Sequence, residues 1–237
     1  MDLLVLKNIS KSFKDDEGEE HGLKEVSISA SKGESIYIQG NDGKSLSNLL
    51  MITGLAMRPD SGSIHVDSGE DTTAMKEKAR ASLRNMYFGY IGESFPLIDN
   101  WSAIRNVEVP LRYSKERPDI TARRSRAREL LDVVGLSERA RNKVGSFTRE
   151  ERLKVQISRA FVNNPEIVLV DNPVYGLDHE AAERVMELIF RLCGAEMVLV
   201  AWGHNNDFSD RFTRRLVLKD GMLLQEYWGR DESAYTV

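Results

Sequence analysis

Apolar and polar positions along this chain fall into two textures. Short apolar or alternating runs, the spacing of buried and half-buried strands, occupy residues 3–9, 26–30, 35–39, 63–67, 86–92, 166–171, 197–202, 215–219 and 222–228. Asp60-Ser-Gly62 and Asp220-Gly221 separate such runs and read as turns between paired strands. From about residue 93 to 164 the apolar residues recur at helical spacing instead. The pattern predicts helices over 120–134 and 150–163, and a further one over 180–192, with Gly135 as a left-handed stop to the first. A strand-rich opening, a helical middle and a return to buried strands predict an α/β core, 1–92 with 164–237, and a helical insertion, 93–163. No internal repeat or low-complexity linker breaks this plan.

Composition narrows the partners more than the fold. With 237 residues, 41% hydrophobic and 30% charged, the chain is an ordinary globular sequence, long enough for one large domain or a core with a lobe. The net charge of −4 supplies no basic field for nucleic acid or an anionic membrane surface. The run Arg123-Arg-Ser-Arg-Ala-Arg128 interleaves with Leu130, Leu131 and Val133, so it reads as the solvated face of a helix. One cysteine, Cys193, excludes an intramolecular disulfide and is expected in the core. The first residues form too short an apolar run for a signal peptide, and no stretch reaches the roughly 18 apolar residues of a membrane helix. A cytoplasmic protein is expected, peripheral to a membrane if a partner holds it there.

Two segments carry candidate chemistry. The strand ending in Gly40-Asn-Asp-Gly43-Lys44-Ser45-Leu46-Ser47 passes through a glycine turn into a helix, the setting in which backbone amides and a helix N-terminus cradle phosphate. Ile167-Val-Leu-Val-Asp171 is an all-apolar strand that ends in a carboxylate, as in a buried parallel sheet. In P-loop proteins such an Asp serves Mg²⁺. Yet G-x-x-x-x-G-K-[ST] counted from Gly40 meets Ser45, Leu46 and Ser47 where Gly, Lys and Ser or Thr are required.

Nearly the whole chain resembles the ATP-binding subunit of ABC transporters, nearest the type that serves lipoprotein release, macrolide export and cell division. The likeness rests on Lys11-Ser-Phe13, Arg58-Pro-Asp-Ser-Gly62, the glutamine-loop region Phe88–Leu97, Asn106-Val-Glu-Val-Pro-Leu111, Ile157-Ser-Arg-Ala-Phe161 with Asn164-Pro-Glu-Ile167, Gly176-Leu-Asp178, Gly203-His204 and Leu218-Lys-Asp-Gly221. It implies a P-loop ATPase fold of ABC type, with a RecA-like core, an antiparallel β lobe and a helical insertion. It also implies ATP with Mg²⁺, a membrane permease, and a homodimer or a heterodimer with another ABC ATPase subunit. By resemblance Phe13, Gly40, Gly43, Lys44 and Ser47 fall at the nucleotide, Ser47 and Asp171 at the metal, and Asp178 and His204 at the D- and H-loops. Residues 93–101 fall at the permease-docking groove.

The departures from the family pattern are concentrated at the chemistry. Laid without gaps on G-P-S-G-S-G-K-S-T, the loop places Leu46 at the lysine and Ser47 at the Mg²⁺ serine. Sliding Gly43-Lys44-Ser45 onto G-K-S would rotate the helix by about 200° and turn Leu49, Leu50 and Ile52 to the wrong side. The ungapped register is therefore preferred. Glu93 stands at the glutamine and Asn172 at the general-base glutamate, where an amide cannot take a proton. Phe147-Thr-Arg-Glu-Glu151 replaces L-S-G-G-Q, and Thr148 with Glu151 is expected to form a capping box. These departures lead to the expectation of a degenerate subunit, structural or regulatory, with little or no hydrolysis. Two alternatives are a deviant ATPase using Lys44 beside an intact partner subunit, and an interaction module outside transport that senses nucleotide.

Overall fold

The computed structural model describes residues 2–14, 20–203 and 208–228. The chain forms two compact units, 1–80 with 195–237, and 81–194. In the first unit β1 (Asp2–Lys14) pairs antiparallel with β2 (Glu20–Ser31) on one side and β4 (Ser61–Val66) on the other. Leu4, Leu6, Val26, Ile28, Ile64 and Val66 are buried, as period-two alternation requires of a sheet with one covered face.

A second set of strands in this unit centres on β3 (Ser35–Gly40), which runs parallel to β7 (Val198–Gly203) and to β8 (Arg214–Lys219). Every residue of β7 is buried. β9 (Met222–Trp228) returns antiparallel on β8. The connecting Asp220 and Gly221 both take left-handed angles, φ 52° and 79°, the form that suits a tight hairpin. The expected turn at Asp60-Ser-Gly62 is corrected. Its residues lead into and begin β4, whose partner is β1, and the Asp60 carboxylate accepts from Lys11 Nζ at 2.6 Å and the Ser12 amide at 2.9 Å. Between β3 and α1 (Gly43–Thr53) stand only Asn41 and Asp42.

The second unit takes up the chain within α2 (Glu77–Tyr87), an element that hydrophobic spacing misses. Arg80 is its one fully buried residue, so it contributes little to the core. Its last two residues are Met86 and Tyr87, so the strand expected over 86–92 begins later, as β5 (Phe88–Gly92). β5 pairs in parallel register with β6 (Ile167–Asp171), whose five residues are all buried. The helices are α3 (Ala103–Val107), α4 (Val109–Tyr113), α5 (Ile120–Val133), α6 (Arg149–Phe161) and α7 (His179–Cys193).

α5 ends as expected. Gly135 is left-handed (φ 74°), its amide bonds to Asp132 O at 2.9 Å, and the Leu136 amide bonds to Leu131 O at 2.7 Å. Ala127, Leu130 and Leu131 face the core while Arg124 and Arg128 are exposed, which is the solvated basic face read from the sequence. Cys193 is buried, and burial pushes its thiol up to about 12, so it is inert filling. Among the described residues no helix is long and apolar enough to cross a membrane.

Candidate functional site

In the first unit, the chain between β3 and α1 closes on itself. Asp42 is the N-cap of α1, in extended conformation, and its Oδ1 accepts from the amides of Lys44 at 3.0 Å and Ser45 at 3.3 Å. The Ser45 hydroxyl donates to Asp42 Oδ2 at 2.5 Å, and His21 Nδ1 lies 3.1 Å from the same oxygen. Partial burial would raise the Asp42 pKa, but the Ser45 hydroxyl, the Ser45 amide and His21 outweigh it and hold the carboxyl below the usual range. A negatively charged oxygen of the chain itself therefore rests on the amides at this helix start.

Leu46 follows with 1% exposure, and Leu49, Leu50 and Ile52 are fully buried on the same helix. Leu46 lies over Gly40, where an added Cβ would meet its Cδ1 at 3.2 Å and the Leu218 carbonyl oxygen at 2.7 Å. Gly40 thus gives the leucine room to fold back on the strand end. Lys44 is exposed on the first helical turn and Ser47 is half-buried. Phe13 sits opposite His21 in the β1–β2 ladder and stacks on it, with ring centroids 5.8 Å apart and planes at 11°. His204 lies outside the described residues.

In the second unit, Asp171 ends β6 with 1% exposure, and its Oδ2 accepts from the Ser94 amide at 3.0 Å. Gly92 has φ 116°, and a Cβ there would stand 2.1 Å from the Asp171 carbonyl oxygen. Gln156 on α6 holds this crossing from the other side: its Oε1 accepts from the Gly92 amide at 3.0 Å and its Nε2 donates to Gly92 O at 3.2 Å. Asn172 is buried and left-handed (φ 46°), a conformation asparagine tolerates. Together with Glu93, Arg149, Arg152 and Gln156 it lines a cavity of about 330 Å³.

The start of α6 is filled by its own side chains. Thr148 and Glu151 form the expected capping box, with Glu151 N to Thr148 Oγ1 at 3.3 Å and Thr148 N to Glu151 Oε2 at 2.9 Å. Glu151 also pairs with Arg139. Glu150 pairs with Arg184 at 3.0 Å and Lys154 at 2.9 Å, which draw its pKa down to about 2. Arg149 donates to Glu93 at 2.8 Å and lies 5.6 Å from the centre of the Tyr175 ring. Glu93 and Arg149, both singled out in the sequence, thus form an ion pair. Asp178 is the N-cap of α7, its Oδ1 accepting from the Ala181 amide at 2.8 Å.

Next to β5 a groove of about 270 Å³ is lined by Phe88, Tyr90, Phe95, Pro96, Pro110 and Arg159. The Arg159 guanidinium donates to Pro96 O at 2.8 Å and to Phe95 O, and burial lowers its pKa to about 10. Within residues 93–101, Phe95 and Pro96 reach this groove, while Glu93 lines the cavity at Arg149.

Sequence reasoning did not single out Asp42, His21, Gln156 or Arg159. Asp42 was legible in principle, since an Asp immediately before a helix is a capping signal. The other three act through distant backbone or side-chain atoms and have no local signature. At the loop, two amides, those of Lys44 and Ser45, are bonded to the Asp42 carboxylate, and Leu46 is buried.

The sequence pattern of the ABC transporter family matches residues 23–175. The uncharacterized ABC transporter ATP-binding protein YvrO of Bacillus subtilis is 33% identical over 227 residues, 96% of this chain and 98% of that protein. Among solved structures, the dimeric post-hydrolysis form of the ATP-binding cassette MJ0796 bound to ADP and Pi superposes with a TM-score of 0.86 and 30% identity, over 96% of this chain and 99% of that one. A second dimeric structure of MJ0796, a bacterial ABC transporter cassette, gives the same figures, TM-score 0.86 and 30% identity. A nucleotide-free cassette agrees in fold at a TM-score of 0.79 and 23% identity. On the family match and these relatives, the chain belongs to the ABC transporter family as an ATP-binding cassette with the P-loop α/β fold.

Proposed function

We propose that this cassette is a degenerate nucleotide-binding subunit of a transporter complex, held by a permease at the inner face of a cell membrane, with little or no ATP turnover of its own. The observation that carries this is Leu46, buried to 1% exposure at the position of the phosphate-binding lysine. A unit charge missing about 4 Å from phosphate is worth about 4 kcal/mol at an effective dielectric near 20. Asn172 and Glu93 remove further contributions. An amide is no general base, a loss of about 10²–10⁴-fold, and a carboxylate adds negative charge beside an anionic ligand.

Cassettes of this family bind ATP with Mg²⁺ and work as dimers with membrane permease components. In the first unit, Ser47 at the helix start and Phe13 for the base are the residues by which a weak nucleotide affinity would persist. The aromatic groove at Phe88, Tyr90, Phe95, Pro96 and Arg159 offers an apolar seat with one cation for a permease segment. Lys44 is exposed at the helix start, so a deviant ATPase using Lys44 makes the opposite forecast.

The test is Mg-ATP hydrolysis by the purified protein beside its Lys44→Ala variant. Wild type is expected at background and the variant unchanged. A steady rate of family size that disappears in Lys44→Ala would replace this reading with the deviant ATPase.

A further inference from the structure

Asp42 occupies a place where the family's loop meets phosphate, and it is held there more firmly than an ordinary helix cap. Asp119 on α5 and Asp178 on α7 cap their helices by accepting backbone amides. Asp42 accepts two amides, the Ser45 hydroxyl at 2.5 Å and a contact from His21 at 3.1 Å. Both carboxylate oxygens are thereby engaged, one by backbone and one by side chains. His21 is in turn stacked on Phe13, so the residue assigned to the base and the carboxylate at the phosphate position belong to one connected set.

Leu46 completes the arrangement. It is buried over Gly40, so no side chain at this position reaches out to a ligand. The helix starts at Gly43, which makes the Lys44 and Ser45 amides part of its first turn, and those amides are the ones Asp42 takes. An incoming phosphate oxygen would compete for the same donors and bring like charge against the carboxylate.

We propose that the Asp42 carboxylate is a built-in anion that occupies the phosphate loop of this cassette, so that polyphosphate binding is blocked jointly by Asp42 and by the missing cation at Leu46. This rests on the reading of the subunit as degenerate and names the second barrier at the same loop. Restoring the cation alone leaves the amides occupied; freeing the amides alone leaves the phosphate without a cation. The two changes are coupled.

The experiment is a double-substitution cycle read by calorimetry with Mg-ATP and with inorganic pyrophosphate. The proteins are wild type, Asp42→Ser, Leu46→Lys and the double variant. Serine keeps a helix cap without the charge, so α1 retains its start. Thermal unfolding checks that each variant folds. Asp119→Ser, the same exchange at the cap of α5, is expected to leave binding unchanged. Each single variant is expected to gain less than about tenfold, and the double variant at least tenfold more than the product of the two. If folded Leu46→Lys binds as tightly as the double variant, or the folded double variant gains nothing, Asp42 is not a barrier and the proposal is overturned. Turnover by wild type would instead overturn the degenerate reading, and the cycle would still judge Asp42. An uncoupled cycle in an inactive wild type defeats the Asp42 proposal alone.

Discussion

At the scale of single residues, Gly92 is a tightly constrained position. It sits where β5 ends beside β6, at φ 116°, with the Asp171 carbonyl oxygen 2.1 Å from where a Cβ would go. That conformation excludes ordinary L residues, and the contact is with backbone that cannot step aside. Gly92→Ala is expected to destabilise the protein by at least about 2 kcal/mol, read as a lower urea midpoint at unchanged slope. A neutral result would show that the crossing has room to shift. The strain belongs to placement: Gln156 clamps Gly92, and Asp171 beside it accepts the Ser94 amide. Leu46 shows the converse case, a residue whose type was plain in the sequence and whose burial over Gly40 had to be seen.

At the scale of elements, α6 satisfies its own start by internal pairing. Its capping box was legible, because Thr148 and Glu151 stand three apart before an amphipathic run. Thr148→Ala is expected to cost about 1 kcal/mol in chemical denaturation. Of the partners of Glu150, Lys154 stands at i+4 on the same helix, a spacing the sequence carries, whereas Arg184 comes from α7 and was not legible. Their hydrogen bonds lower the Glu150 pKa from 4.5 to about 2. A carboxylate whose folded pKa is depressed adds stability that is complete above its unfolded value and is lost as pH falls towards its folded value. The Glu150 contribution is therefore present above about pH 4.5 and gone by about pH 2. Glu150→Gln should lower stability at neutral pH and converge with wild type at the acid end of that window. Parallel curves would mean that the pairs contribute nothing.

At the scale of the molecule, the consequence concerns assembly. By the resemblance, α6 begins where the family carries L-S-G-G-Q, the segment that would cover nucleotide held by the opposite subunit of a dimer. Here that start carries Arg149 paired to Glu93, Glu150 paired to Arg184 and Glu151 paired to Thr148 and Arg139. With its donors and charges satisfied within one chain, it offers phosphate little. The purified protein is expected to show the same mass by light scattering with and without Mg-ATP, and capture by its permease is expected to be indifferent to nucleotide. Dimerisation driven by Mg-ATP would refute this account.

The sequence by itself determined the fold class, because a buried parallel strand, a glycine turn into a helix and a capped amphipathic helix are written in local spacing and local residue types. Leu46, Glu93 and Asn172 stand out in the sequence only against the pattern of the family that the chain resembles. Sequence reasoning missed α2, which buries only Arg80 and whose last residues were read into the following strand. It misread Asp60, whose carboxylate is engaged by Lys11 and Ser12. Only the tertiary structure decided which partners these residues take: Asp42 with His21 at the loop, Arg149 of α6 with Glu93, Gln156 clamped on Gly92. These are contacts between residues far apart in the chain, or choices between equivalent acceptors nearby. Residue spacing carries no record of such partners; only packing brings them within hydrogen-bond reach.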